Sequence, residues 1–289
     1  MKQVFQADSP VLGQLLYSAE WPGREFAYAR QIVEVAQSST SVQPQVSIIL
    51  CLYRPHKAVI VGLRLLMDAC GSAVRLVVVN PCNDSPEATM LCKFANACIT
   101  VCPDCSIYMA RNIGTLYANA PVCIFLSEQL RPEPKLPLEY LNVLAPEGIV
   151  AARGRILGGQ DIQGAVFHRL DRGNLAHTWA LDLDENMAVR TNIFHSLGGF
   201  DETLPQGYGA LDLSARIFRA LPGTDPQRYC PKAIAKLTSP ETVSLVTPSF
   251  ASSWTAIDRK YGNNLLGYCI YWESLFRRSL AGIKERGKA

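Results

Sequence analysis

The sequence lacks the features typical of membrane-spanning and nucleic-acid-binding chains. No apolar run in its 289 residues approaches the roughly 20 residues that a membrane-spanning helix needs. The N-terminus has no basic start followed by an apolar core, so we expect no secretory signal. The 28 Lys and Arg nearly balance the 25 Asp and Glu, and no block of them resembles a nucleic-acid-binding arm. We therefore expect a cytoplasmic protein without a nucleic-acid partner; peripheral contact with the inner membrane face is the alternative.

The sequence also has few histidines and cysteines at the spacings typical of metal sites. The histidines at positions 168, 177 and 195 show no such spacing, so we expect them to be structural or surface residues. Of the ten cysteines, four crowd together: Cys92, Cys98, Cys102 and Cys105. The last two form a CxxC, but no second CxxC and no His pair accompanies it. We expect reduced, buried thiols; a site of four thiolates is the alternative.

The apolar pattern divides the chain into three parts. Residues 1–43 carry helix-period apolar positions, including EFAYARQIVEVAQ, and end in a polar linker. Residues 44–245 then alternate buried-strand patterns (VSIILC, VRLVVVN, CITVC, VCIFL) with helical ones, which predicts βαβ units and an α/β fold with a mostly parallel central sheet. Residues 246–289 are predicted to be a helical C-terminal segment.

One strand end carries an unusual polar group. The apolar run VCIFL stops at Ser127-Glu128-Gln129, a single carboxylate between two neutral polar residues. Ligands of open α/β proteins bind at the carboxyl ends of the strands. We therefore expect this trio to face a ligand site.

Six segments, in order, resemble the family 2 glycosyltransferases, which have the GT-A fold. They are VSIILCLYRP, LVVVNPCND, ARNIG, CIFLSEQLRP, NMAVRTNIFHSLGGFDE and GYGALDLSARI. The resemblance covers roughly residues 44–240, and ARNIG and the LGGFDE segment match the family most closely. It implies that residues 44–130 are a nucleotide-binding half and residues 131–245 an acceptor-side half. A nucleotide-sugar donor would bind at the strand ends, and its sugar would be transferred to an acceptor hydroxyl across the cleft.

The resemblance assigns the nucleotide side to several polar residues: Tyr53, Asn80, Asp84, Arg111, Asn112, Ser127 and Gln129. Arg111 and Asn112 come from the ARNIG motif, whereas Cys51 and Leu52 depart from the family pattern beside Tyr53. Polar residues at strand ends are also common turn formers, and that remains the alternative for each of them.

The acidic motifs of the family are degenerate in this chain. Ser127, Glu128 and Gln129 stand where the family has acidic residues, and its usual metal ligand falls on Gln129, whose amide is a weak ligand for a hard cation. Glu128 is then the one anionic candidate for a catalytic role or a weak Mg²⁺ or Mn²⁺ contact. No dedicated metal site is predicted.

The family's acidic base position is lost as well. It falls on Gly209 and Ala210, and Asp212 is the acidic residue that survives. Asp212 is the second catalytic candidate, against the alternative that it supports the helix beginning there.

Two functions from different classes follow. The first is an inverting glycosyltransferase acting on a glycan, lipid-linked or protein hydroxyl, metal-independent if Arg111 or Lys236 offsets the diphosphate charge. The second is an inactive GT-A pseudoenzyme that serves as a binding or partner subunit, because both acidic motifs are degenerate.

Overall fold

The computed structural model describes residues 28–38, 42–158, 170–221 and 225–238. The predicted N-terminal helical segment before residue 28 and the predicted helical segment 246–289 lie outside these ranges, so the domain boundaries at 43 and 245 stay predictions. None of the helices in these ranges combines the length and apolar character that crossing a bilayer requires.

Strands and helices alternate along the described chain. The strands are β1 Ile32–Gln37, β2 Val46–Cys51, β3 Val74–Asn80, β4 Ala97–Val101, β5 Val122–Leu126, β6 Leu130–Pro132, β7 Ala151–Leu157, β8 His177–Thr178, β9 Asn186–Arg190 and β10 Gln227–Leu237. The α-helices are α1 Lys57–Cys70, α2 Pro86–Phe94, α3 Ile107–Leu116, α4 Leu136–Leu144, α5 Thr191–Ser196 and α6 Gly209–Ala220.

All of these strands form one sheet. Its order is β1-β4-β3-β2-β5-β9-β7-β10-β6, with β8 paired to β10. Strands β4, β3, β2 and β5 are parallel. Strands β7 and β10 run in the same direction, because the antiparallel β9 separates β7 from β5. Six of the ten described strands therefore share one direction, which confirms the predicted α/β fold with a mostly parallel central sheet.

The central strands and their helices form where the sequence predicts them. Strands β2 and β5 are buried along their whole length, as Val/Ile/Leu-rich strands covered on both faces are. Helix α2 begins with Pro86 after Ser85, whose hydroxyl accepts a hydrogen bond from the Ala88 N–H at 3.2 Å. This side-chain oxygen caps the helix, because it satisfies an N–H that the first turn leaves unpaired.

One predicted helix is wrong. Ile32–Gln37, within the EFAYARQIVEVAQ segment, forms strand β1 and pairs antiparallel with β4. Its side chains are largely exposed; Val33, for example, is 63% exposed. An amphipathic helix buries one of its faces, but this segment has no buried face. Its β-branched residues instead suit a strand that pairs with the free edge of β4.

Three strand ends bring polar residues together at one edge of the sheet. Strands β2 and β5 are parallel and end side by side, and β9 begins opposite Leu126 of β5. The Ser127 N–H donates to the Glu185 carbonyl at 2.9 Å. Residues that follow β2 and β5, and those that precede β9, therefore face a common space.

Candidate functional site

A cleft of about 460 Å³ opens at this edge of the sheet. It is lined by Cys51, Tyr53, Arg54, Cys105, Ser106, Ile107, Arg111, Leu126, Ser127, Glu128, Gln129, Glu185, Leu204 and Gln206. Five residues predicted from the sequence thus meet here: Tyr53, Arg111, Ser127, Glu128 and Gln129. A cleft at the carboxyl ends of parallel strands is where open α/β proteins bind ligands.

Glu128 is held by the loop that follows β2. Its Oε1 accepts a hydrogen bond from the Arg54 N–H at 2.6 Å, whereas its buried Oε2 has no hydrogen-bond partner among the described residues. Burial raises the pKa of Glu128 to about 8; the Arg54 N–H opposes this shift and Glu185 adds to it. Glu128 is therefore an unusually weak acid at the cleft.

Gln129 and Tyr53 shape the cleft wall. The Gln129 amide Nε2 donates to the Arg54 carbonyl, and its backbone N–H donates to the Ser127 hydroxyl at 3.2 Å. The Tyr53 hydroxyl donates to the Cys105 carbonyl at 2.5 Å, and burial raises the pKa of this phenol. Gln129 thus fixes the Arg54 loop, while Tyr53 remains a neutral ring at the cleft surface.

Arg111, from helix α3, is a buried cation with two carboxylate partners. Its guanidinium is 3% exposed; Nη2 lies 3.2 Å from Glu185 Oε2, and Nη1 lies 3.7 Å from Asp184 Oδ2. Burial alone would lower the pKa of Arg111, but Glu185 and Asp184 outweigh it and raise the pKa. The positive charge is therefore permanent and already paired.

Glu185 is the cleft residue that the sequence reasoning missed. It lies just before β9, is 3% exposed, and burial raises its pKa to about 7 although Arg111 opposes the shift. Its Oε1 makes no hydrogen bond of normal geometry within the described residues. The available signal was the acidic run Asp182-Leu-Asp184-Glu185 directly before a predicted strand, but motif comparison drew attention only to NMAVR beyond it.

Two predicted nucleotide contacts, Asn80 at the end of β3 and Asp84 in the loop after it, do not line the cleft. The Asn80 Oδ1 accepts from the Asn83 N–H at 2.8 Å, which closes a turn. Asn83 in turn donates to the carbonyls of Leu52, at 3.0 Å, and Tyr53, at 3.2 Å, and so supports the cleft floor. Asp84 is exposed in the same loop. Here the turn-forming alternative fits the geometry.

Asn112, the third predicted contact outside the cleft lining, ties helix α3 to the LGGFDE loop. Its Nδ2 donates to the Phe200 carbonyl at 2.9 Å and to Glu202 Oε1 at 2.8 Å. Its Oδ1 accepts from the Phe200 N–H at 2.8 Å. Both ends of the amide are therefore engaged within the protein.

Asp212, the second catalytic candidate, is not brought into the cleft either. Its side chain is fully buried on α6, and Oδ2 accepts from Arg216 Nε at 2.9 Å and from Nη2 at 2.6 Å. The start of α6 is held by Asp184, whose Oδ1 accepts from the Ala210 N–H at 2.5 Å and whose Oδ2 accepts from the Tyr108 hydroxyl. The geometry fits the helix-supporting alternative for Asp212.

Two further sequence candidates are also accounted for. Lys236 forms an ion pair with Glu133 at 2.5 Å, and neither residue lines the cleft. The crowded cysteines have different interaction partners. Cys92 interacts with Cys98, whereas the Cys102 thiol lies 3.8 Å from the Arg30 carbonyl. Within the described ranges, no group of three or more His, Cys, Asp or Glu side chains is placed to share a metal ion.

No family model matches this chain, and no curated protein matches it in sequence. Solved structures do resemble it. A mannosyltransferase from Pyrobaculum calidifontis, in complex with GDP-Man and Mn²⁺, has 15% identity and a TM-score of 0.53 over 80% of this chain and 66% of that one. Staphylococcus aureus TarS residues 1–349, in complex with UDP-GlcNAc, has 13% identity and a TM-score of 0.52 over 71% and 62%.

A third similar structure is GalNAc-T7 with UDP, GalNAc and Mn²⁺, with 10% identity and a TM-score of 0.52. The match covers 68% of this chain and 44% of that chain. The chain thus spans less than two thirds of each of these structures. Together with the sheet order and the cleft at the strand ends, these likenesses show that the chain has the GT-A fold.

Proposed function

We propose that the cleft binds a nucleotide-sugar donor and that the protein transfers its sugar, with inversion, to a hydroxyl of a glycan, lipid-linked or protein acceptor. The observation that supports this most is the convergence of Tyr53, Arg111 and the Ser127–Gln129 trio on one cleft at the strand ends of a GT-A fold. A diphosphate needs positive charge near it as its bond to the sugar breaks, and Arg111 is the buried cation of that cleft.

The donor set of the cleft does not fit a divalent cation. Mg²⁺ and Mn²⁺ need ionised oxygen ligands, yet the raised pKa of Glu128 favours its protonated form near neutral pH. The Gln129 amide donates to the Arg54 carbonyl, and the Arg111 guanidinium lies against Glu185. We therefore favour the metal-independent form of the proposal and assign no metal ligand, including the weak contact predicted through Glu128.

The proton acceptor for the acceptor hydroxyl is not Asp212 in this proposal. A general base must reach the proton that it removes, and Asp212 is buried against Arg216 outside the cleft lining. This observation favours the second candidate, a GT-A binding or partner subunit that holds a nucleotide sugar without transferring it.

Thermal unfolding of the full chain with UDP-, GDP- and dTDP-sugars tests the proposal. A binding donor should raise the unfolding temperature by several degrees at saturation, because ligand binding stabilises the folded state. The matching nucleoside, which lacks the diphosphate, should have little effect. No shift with any donor, with Mn²⁺ or with chelator, would contradict nucleotide-sugar binding.

Donor turnover then separates the two candidates. Release of free sugar or transfer to added acceptors, measured by chromatography, supports a transferase. Binding without any release of the nucleoside diphosphate supports the partner subunit.

A further inference from the structure

The two cleft glutamates are each half satisfied. Glu128 uses Oε1 to accept the Arg54 N–H, and Glu185 uses Oε2 to accept from Arg111. The other oxygen of each carboxyl group is buried and lacks a hydrogen bond of normal geometry within the described ranges. The Tyr53 backbone also interacts with Glu128, and the Ser127 side chain with Glu185. An unsatisfied buried oxygen costs free energy, so a ligand group that bonds to either of these oxygens would recover that cost.

The charges around Glu128 are unfavourable to an anion. Asp184, Glu185 and an ionised Glu128 would outnumber Arg111 and the exposed Arg54 by one charge, and a nucleotide-sugar diphosphate adds two more negative charges. Arg54 is the exposed cation of the same loop. The remaining titratable groups at the cleft are Cys51, Tyr53 and Cys105; burial raises the pKa of each, which keeps them neutral. An ionised Glu128 would therefore oppose a diphosphate.

We propose that Glu128 determines metal-free diphosphate binding: it binds the nucleotide sugar as a neutral carboxyl and donates a hydrogen bond from Oε2 to a phosphate oxygen. This rests on the proposed nucleotide-sugar site. A proton on Oε2 satisfies the orphaned atom, removes the repulsion with the diphosphate and replaces it with a hydrogen bond to a charged acceptor. Glu185 keeps Arg111 in place through its own hydrogen bond. The raised pKa of Glu128 is consistent with this state near neutral pH.

The direct consequence is that binding is coupled to a proton. Affinity should be nearly constant at neutral pH, where Glu128 is already protonated, and should fall by up to about tenfold per pH unit above roughly pH 8. Proton uptake per bound ligand should rise from near zero at pH 7 to about one at pH 9. A nucleotide sugar is the suitable probe, because its diphosphate does not titrate in this range.

Calorimetric titration of the full chain with the nucleotide sugar found to bind measures both quantities. It is run with chelator, across this pH range, in two buffers with different ionisation enthalpies. Glu128→Gln should bind like the wild type at neutral pH, with a flat pH profile and no proton uptake, because the amide supplies a donor that does not titrate. Glu128→Ala should bind at least tenfold more weakly at neutral pH. Glu133→Gln, outside the cleft, is the matched control and should behave like the wild type.

Glu185→Gln provides an independent readout. Glu185 helps to raise the pKa of Glu128. When this neighbouring negative charge is removed, the affinity of the variant should therefore begin to fall at a lower pH than the affinity of the wild type. If Glu185 had a merely structural role, its substitution would change the affinity at all pH values without moving the pH at which the affinity begins to fall.

Several outcomes would overturn the inference while leaving the proposed function intact. They are wild-type affinity that does not change with pH, binding that requires Mn²⁺, and loss of binding in Glu128→Gln at neutral pH. The wild-type titrations need no variant, so poor folding of a variant leaves them decisive. Failure of every nucleotide sugar to bind under any condition would instead refute the proposed function.

Discussion

The cleft and the start of α6 both contain buried carboxyl groups, but these are satisfied by hydrogen bonds to very different degrees. In the cleft, Glu128 and Glu185 each keep one buried carboxyl oxygen without a well-formed hydrogen bond. At the start of α6, Asp184 accepts from the Ala210 N–H, from the Tyr108 hydroxyl and pairs with Arg111. Asp184 and Glu185 are adjacent in sequence, yet only Glu185 lines the cleft.

The contrast separates structural acids from candidate ligand-binding ones. We call Asp184, Asp212 and their partners the α6 anchor, because Asp212 also forms an ion pair within this helix, with Arg216. Buried polar groups are normally satisfied, and exceptions occur at functional sites. The carboxylates of the α6 anchor, Asp184 and Asp212, follow that rule, whereas Glu128 and Glu185 in the cleft depart from it. Substitutions in the anchor should therefore affect stability, and those in the cleft should affect ligand binding.

The largest expected effect is on stability, from Asp184→Ala. This change leaves the Ala210 N–H and the Tyr108 hydroxyl without their acceptor and removes one partner of Arg111, so we expect a loss of about 3 kcal/mol in the free energy of unfolding. Denaturant unfolding measures it, with Glu185→Ala as the neighbouring control; this variant also removes a partner of Arg111 but leaves the Ala210 N–H and the Tyr108 hydroxyl with their acceptor, so we expect a smaller loss. Equal losses for the two variants would remove the distinction between anchor and cleft.

The next effect is the dependence of stability on pH. The folded-state pKa values of Glu128 and Glu185, about 8 and about 7, exceed the usual 4.5, so the folded state holds protons that the unfolded chain releases. Their contribution to stability is therefore full at low pH and is lost as pH rises from about 5 to above 8. The double variant Glu128→Gln/Glu185→Gln should show less of this decline. A wild-type-to-variant difference that stays constant with pH would contradict the shifts.

A smaller effect is expected from Asp212→Asn. The charged pair with Arg216 is weakened while a hydrogen bond remains possible, so we expect a loss of about 1 kcal/mol in the free energy of unfolding. Nucleotide-sugar affinity should not change, because Asp212 is outside the cleft lining. A large loss of turnover at unchanged stability and donor affinity would instead restore Asp212 as a catalytic residue.

The sequence predicted the central sheet well because burial on both faces leaves a clear pattern. Strands β2, β3 and β5 are apolar runs with turn residues after them, and these define both the strands and the edge where they end. Strand β1 was mistaken for a helix because it is exposed at the sheet edge, where apolar spacing no longer reports a buried face.

The site was predicted only in part, for a different physical reason. Residues directly after a parallel strand, such as Tyr53 and Glu128, are placed by the strand itself. Glu185 enters the cleft through the antiparallel pairing of β9 with β5, a long-range contact that no local pattern records. The hydrogen bonds that engage Asn112 link residues far apart in sequence and are equally invisible there.

Hydrogen–deuterium exchange of the full chain, with and without a saturating nucleotide sugar in chelator, tests the central claim most directly. The account predicts slower exchange in residues 51–54, 106–111 and 127–129, and no change in residues 212–220 of helix α6. Protection confined to α6 or to other surfaces, with none at these three cleft segments, would contradict the assignment of this cleft as the donor site.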